Sequence, residues 1–219
     1  MATHMTRYAL ILLAAVSAGA QNPSREEVLG ALRKAAAFYN ETVSPYGAYH
    51  FAYTEDLSYG RSESLDSPTR PEVQREGTPS AGDAFLLAWD ATRDRYYLEA
   101  ARRVGHAYAA GQLCSGGWDY GIEFDPAKRS QFAYRADNNC GAAGVTTLDD
   151  NVTQSAMRFL MRVDRELHFE DTRIHRASLY ALDRLIEAQY PVGAWPQRYR
   201  DFPDPAKFPV RRASYPDAW

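Results

Sequence analysis

A short motif recurs three times in the chain, each time after a stretch with helical periodicity. A glycine is followed by an aromatic residue in Gly47-Ala-Tyr49, Gly116-Gly-Trp118 and Gly193-Ala-Trp195, and glutamine precedes two of them, as Gln112 and Gln189. The motifs are separated by about the length of a helical pair with its loops. Helical hairpins that bury their apolar faces only against their neighbours form toroids or solenoids. We therefore predict an all-α fold, an incomplete α/α toroid with long loops; chance recurrence of common turn residues is the alternative.

Five segments carry apolar residues at the spacing of a helix that buries one face. They begin after Ser24, after a cap at Thr78 or Ser80, near Tyr96, in the stretch 147–151 and near Ile174. Between them we predict two long loops, over 54–80 and 121–146, the first lying on the surface or disordered. Alternating strand patterns are few and short.

Composition is that of an ordinary globular protein. The 219 residues are 45% hydrophobic and carry a net charge of −3, which suits a single core and gives no support for nucleic-acid binding. The two cysteines, Cys114 and Cys140, could pair or remain two thiols. We expect a monomer.

The N-terminus has the features of a secretory signal. Arg7 precedes an apolar run over 9–16, and the run ends in Ala18-Gly19-Ala20. A basic residue, a short apolar stretch and an A-x-A site predict cleavage after Ala20. We therefore expect a secreted or periplasmic protein, with no membrane span in the mature form and one domain over 21–219.

The stretch 147–154 concentrates carboxylates and amides beside a predicted helix start. One interpretation is a capping box made by Thr147 and Asp150. The other is that Asp149 and Asp150 are oxygen ligands, or that Asp149 is a catalytic carboxylate. Hard cations such as calcium favour such oxygens, although the chain contains no EF-hand loop.

Aromatic and cationic residues point to a sugar acid as ligand. If the glycine-aromatic turns share one end of the fold, their side chains and a nearby tyrosine line one cleft; they are Tyr49, Trp118, Tyr120 and Trp195. Plugging of the helix ends is the alternative role. The tail adds cationic groups, Arg198, Arg200, Lys207, Arg211 and Arg212, which bind carboxylates or form a solvated charge run. Together they predict an acidic polysaccharide as partner.

Two segments resemble one known family. Thr147-Leu-Asp-Asp-Asn-Val-Thr153 and, further on, Glu187-Ala-Gln-Tyr-Pro-Val-Gly-Ala-Trp-Pro-Gln197 resemble the pectate lyases of polysaccharide lyase family ten. That family has T-I-D-N-x-A-T, then R-x-L, then A-Q-Y-P-N-G-G-W-P-Q. The resemblance is close over roughly 147–199.

The resemblance implies an α/α toroid that cleaves polygalacturonate by calcium-assisted β-elimination, with an arginine as base. It places the family's aspartate on Asp149, in a catalytic or metal role, and its asparagine on Asp150, a second metal ligand. Substrate-binding roles are expected for Trp118, Trp195, Gln197 and Arg198.

Two parts of the family pattern are not matched. An asparagine-aspartate metal segment and the base arginine follow the W-P-Q segment in the family, and no arginine of 198–212 stands at the matching position. We therefore expect the chain to lack a C-terminal part or to have lost turnover. An α/α-barrel glycoside hydrolase with Asp149 as general acid, and a binding module without catalysis, are the alternatives.

Overall fold

The structure is a computed structural model that describes residues 22–63, 66–204, 206–207 and 216–218. The predicted signal sequence over 1–20 lies outside these residues, as do Arg211 and Arg212. Within the described ranges, no helix is long and apolar enough to cross a membrane.

The described residues form an all-α fold, as predicted. Six α-helices carry it: α1 Arg25–Ala37, α2 Thr78–Thr92, α3 Arg95–Gly111, α4 Pro126–Arg129, α5 Val152–Glu166 and α6 Thr172–Glu187. A π-helical turn, Phe38–Val43, continues α1. Two antiparallel ladders pair β1 Ala52–Tyr53 with β2 Gly60–Arg61, and β3 Thr146–Thr147 with β4 Arg198–Tyr199. The five helices predicted from periodicity correspond to α1, α2, α3, α5 and α6.

Two helical hairpins, α2–α3 and α5–α6, form the body of the fold. The first turns at Arg93, which is left-handed with φ 56°, and Asp94 then accepts a hydrogen bond from the backbone N–H of Tyr96 to cap α3. The second turns before Asp171, whose carboxylate caps α6. Helix α3 packs against both α5 and α6, and α2 packs against α5. The hairpins therefore lie side by side, as expected for a segment of an α/α toroid.

The glutamines of the repeated motif close two helix ends in the same way. Nε2 of Gln112 donates to the carbonyl of Gly116 over 2.9 Å, and Nε2 of Gln189 donates to the carbonyl of Gly193 over 2.7 Å. Both glycines have positive φ, 106° and 87°, a conformation that costs least without a Cβ. The two motifs that carry a glutamine are thus a structural repeat and not a coincidence of turn residues.

The two tryptophans of the motif are also held alike. The indole Nε1 of Trp118 donates to the carbonyl of Tyr108 over 2.9 Å, and that of Trp195 donates to the carbonyl of Leu185 over 2.7 Å. In both pairs the acceptor lies ten residues before the tryptophan. Each ring therefore packs back along the last turns of the preceding helix, α3 or α6.

The segment predicted as a surface loop over 54–80 is partly core. Glu72 and Val73 are both fully buried, and the backbone N–H of Val73 donates to the carbonyl of Tyr120 over 2.7 Å. Helix α2 begins at Thr78 with Gly77 as its N-cap and no side-chain cap, so the cap predicted at Thr78 or Ser80 is wrong. The polar composition of this segment did not indicate that its backbone pairs with the loops after α1 and α3.

Cys114 and Cys140 form a disulfide. Of the two alternatives considered from the sequence, a disulfide or two thiols, the first is correct. The disulfide ties the end of α3 to the long loop that leads into β3.

Candidate functional site

The chain enters α5 through a strained turn. Asp149–Asn151 form one turn of 3-10 helix, and both Asp150 and Asn151 are left-handed, with φ 48° and 59°. The predicted capping box is wrong. Thr147 donates its hydroxyl to Asp119 instead, and the side chain of Asn151, the N-cap residue, accepts from Arg158. The acidic pair, a half-buried Asp149 and an exposed Asp150, therefore lies ahead of the helix and does not cap it.

Asp149 joins the two segments that resemble the lyase family. Its Oδ2 accepts a 2.6 Å hydrogen bond from Nε2 of Gln197, and its Oδ1 accepts from the backbone N–H of Asp150. The carbonyl of Gln197 in turn accepts from the backbone N–H groups of Leu148 and Asp149, over 2.8 and 3.3 Å. Backbone and side chain together hold the carboxylate at one position.

A groove of about 560 Å³ opens beside this carboxylate. Its lining is mostly apolar: Leu148, Asp149, Gln154, Leu185, Trp195, Pro196 and Gln197. Trp195 is 45% exposed, so its indole face is available to a flat ligand. A carboxylate, an amide and an exposed indole at one groove suit a sugar ring with polar substituents.

Asp150 has its own partner from the other repeat. The hydroxyl of Tyr120 donates to Oδ2 of Asp150 over 2.7 Å. That hydrogen bond is the main cause that raises the pKa of Tyr120 to about 12, with a smaller contribution from burial. Tyr120 thus remains a donor that orients Asp150.

Arg198 lies opposite Thr147 on the β3–β4 ladder. Its Nε donates to the hydroxyl of Thr147 over 3.1 Å, and its Nη2 donates to Oδ1 of Asp119 over 3.3 Å. The guanidinium lies 5.4 Å from the centre of the Tyr120 ring. A half-exposed cation therefore stands beside the acidic pair, where a carboxylated ligand would meet it.

Two aromatics predicted to line the cleft are in the core. The side chain of Trp118 is fully buried, and Tyr49 is only 2% exposed. Substrate contact predicted for Trp118 is therefore wrong in this structure, and the same holds for Tyr49. Both plug the ends of helices, the alternative considered from the sequence. Trp195 differs from Trp118 because the described residues leave 45% of it exposed.

The described cations of the tail do not all gather at the site. Arg200 donates a 3.4 Å hydrogen bond to the carbonyl of Gly141, and Lys207 lies 4.0 Å from Asp204 on its own turn. Among the tail's described cations, Arg198 is the one that contacts residues near the acidic pair, namely Thr147 and Tyr120.

The donor set fits a hard cation in part. The described residues contain no group of three histidine, cysteine, aspartate or glutamate side chains placed to hold a metal ion. Asp149 and Asp150 are adjacent carboxylates, the first half-buried and the second exposed, and calcium takes six to eight oxygens, including those of ligands and water. These two residues could hold calcium only with further oxygens from a bound substrate or solvent.

Asp119 was not identified from the sequence. The repeat does, however, indicate the two donors to the acidic pair, Tyr120 and Gln197. Tyr120 and Gln197 each stand two residues after the tryptophan of their motif, and each donates to one of the two adjacent aspartates. The two repeats therefore flank the acidic pair from both sides. Aligning the two motifs on their tryptophans places Tyr120 and Gln197 at equivalent positions.

Comparison with family models matches residues 88–216 to the family described as pectic acid lyase. No curated protein and no solved structure shows a significant match. The matched residues include both repeats with tryptophan, the acidic pair and Arg198.

Proposed function

The chain belongs to the pectic acid lyase family, and from that premise we propose that it binds polygalacturonate and cleaves it by calcium-assisted β-elimination outside the cytoplasm. The observation that carries the proposal is the contact between Asp149 and Gln197. It brings the two family-like segments together at the wall of an open groove. Export rests on the signal-like N-terminus alone.

Side chains on both sides of the acidic pair bind the substrate. Arg198 offers a guanidinium for the C6 carboxylate of a uronate, and the exposed indole of Trp195 offers a face for the sugar ring. Gln197 and Tyr120 hold the carboxylates of Asp149 and Asp150 in place. Such orientation before binding avoids reorganisation during the reaction.

Asp149 and Asp150 are the residues that would hold calcium. When bound, the ion supplies positive charge that neutralises the uronate carboxylate and so acidifies the proton on C5. In the elimination, a base removes that proton, its electron pair forms the C4–C5 double bond, and the C4–O4 bond breaks. The leaving oxygen then takes up a proton. The resemblance implies an arginine as base, and we assign none of the described arginines to that task.

The test is cleavage of polygalacturonate by the full chain, followed by the ultraviolet absorbance of the conjugated product. We expect absorbance to rise with calcium and to stop when a chelator is added. Asp149→Asn should lower the rate by roughly a hundredfold or more, whereas Asp183→Asn, a change of an exposed carboxylate on α6, should not alter it. Shorter chains without absorbance would show hydrolysis, and binding without cleavage would show a lectin-like module; either result overturns the lyase proposal.

A further inference from the structure

A second arginine lies at the site from a part of the chain that the family match does not cover. Arg70 belongs to the segment before α2, whereas the match begins at residue 88. Its Nη2 lies 4.0 Å from Oδ2 of Asp119, the carboxylate whose other oxygen accepts from Arg198. One carboxylate thus stands between two guanidinium groups.

The guanidinium of Arg70 has unused hydrogen-bonding capacity. Its 4.0 Å contact with Asp119 is an ion pair without a hydrogen bond. Its Nε is buried and has no hydrogen-bond partner among the described residues. An arginine carries five N–H donors in a planar fork, and leaving buried donors unpaired is costly. Among the described residues no hydrogen bond engages this guanidinium, so a ligand with two oxygen acceptors would displace none in binding it.

Packing holds this fork in one place. The guanidinium of Arg70 lies 4.7 Å from the centre of the Phe132 ring, and its side chain is 21% exposed. A guanidinium stacked on an aromatic ring loses less freedom when it binds a ligand than a solvated one. The remaining exposure leaves a route for contact with a ligand.

The local charge favours an anion. Arg70 and Arg198 share the single countercharge of Asp119. Glu72, an acid on the same segment that interacts electrostatically with Arg70, is buried, and burial raises its pKa to about 7, so that it adds little negative charge in mildly acidic solution.

We propose that Arg70 is a specificity-determining residue that, with Arg198, binds a uronate carboxylate, and that Asp119 is the positioning residue between them. This inference rests on the proposed function in taking a uronate as ligand. It extends the binding site to a segment outside the family match and predicts that Arg70 contributes to binding of a free uronate but not of its methyl ester. A methyl ester has lost the charge and one of the two equivalent acceptors that the fork binds.

The experiment measures binding, so that it does not depend on turnover. Titration calorimetry with trigalacturonate and with its methyl-esterified form is done on the full chain, with calcium and with a chelator. We expect Arg70→Gln to weaken trigalacturonate binding about tenfold or more, the effect of losing one charge-assisted contact, and to leave binding of the ester within about twofold. Arg61→Gln is the matched control, because Arg61 is exposed and lies in the same segment, on β2.

Three results would overturn the inference: unchanged binding by Arg70→Gln, an equal loss for both ligands, or a wild-type protein that binds neither. Circular dichroism checks that the variants are folded. If Arg70→Gln does not fold, Arg70→Lys decides, because it keeps the charge but loses the fork; trigalacturonate binding equal to wild type would then overturn the inference. If wild type binds trigalacturonate without forming an unsaturated product and Arg70→Gln weakens that binding, the lyase reaction is excluded and the role of Arg70 is upheld.

Discussion

The side-chain amide of Gln197 donates a 2.6 Å hydrogen bond to Oδ2 of Asp149, although the two residues are 48 positions apart in the chain. This contact is stronger than a bond between neutral groups, because its acceptor is a carboxylate. It aligns the start of α5 with the turn after α6 and holds Asp149 in the lining of the groove.

Gln197→Ala removes the donor that orients Asp149. We expect the lyase rate to fall about tenfold or more, since a hydrogen bond to a charged group contributes about 1.5–3 kcal/mol. The melting temperature should change little because Gln197 is exposed. The rate on polygalacturonate checks this, with Gln131→Ala, an exposed glutamine in the loop before β3, as control. A rate equal to wild type would show that Asp149 does not depend on this contact.

Trp118 and Trp195 make the same hydrogen bond but differ in exposure, so the two alanine variants should separate stability from binding. Trp118→Ala should lower the free energy of unfolding by about 3–5 kcal/mol, the usual cost of emptying a buried aromatic site. Trp195→Ala should cost much less stability but weaken polygalacturonate binding, because 45% of Trp195 is exposed beside the groove. Denaturant titration and calorimetry measure the two effects. Equal loss of stability in both variants would contradict the assignment of Trp195 to the ligand.

Glu72 should make stability depend on pH. Burial, its largest cause, raises the pKa of this carboxyl from 4.5 to about 7, against smaller opposing effects from backbone N–H groups and Arg70. The folded protein therefore holds the proton more tightly than the unfolded chain. The resulting stability is complete below pH 4.5 and is lost as the pH rises through about 7.

Glu72→Gln keeps the shape and removes the titration. We expect the variant to be more stable than wild type at pH 8, on the order of 2 kcal/mol, with little gain at pH 4. Urea unfolding across this pH range measures it, and Glu76→Gln, an exposed change in the same segment, serves as control. Parallel pH profiles for wild type and Glu72→Gln would disprove the shifted pKa.

Reduction of the Cys114–Cys140 disulfide should loosen the loop that leads to the site. The bridge closes a sequence separation of 26 residues, for which chain entropy gives about 3 kcal/mol of stability. We expect reductant to lower the melting temperature by several degrees, as differential scanning fluorimetry would show. Cys140→Ser should melt at the reduced temperature with or without reductant. A melting temperature that reductant leaves unchanged would mean that the bridge adds no stability.

Much of the fold followed from local patterns. Helices α3 and α6 were predicted closely because their apolar residues recur at helical spacing and their ends carry clear signals, such as Asp94 before α3 and the glycine turns after both. The segment 54–80 was misjudged because burial of Glu72 and Val73 depends on pairing with distant backbone, which composition does not reveal.

The site was predictable only in part. Asp149, Gln197 and Arg198 were named from motifs, and the structure brings all three to one surface. Trp118 was misplaced, because a glycine-aromatic turn has the same sequence whether a neighbouring helix covers it or not. Asp119 and Arg70 were missed, because a single charged residue in a loop has no pattern of its own.

By itself the sequence determined the helices, the repeated turn and the family, since each depends on residues close together in the chain. The packed structure was needed to show which tryptophan is exposed to solvent and whether the two cysteines pair. It was also needed to show that Asp149 contacts Gln197 and that Arg70 contacts Asp119. Those outcomes depend on the packing of the two hairpins against each other. Packing brings together side chains whose local sequences contain no information about one another.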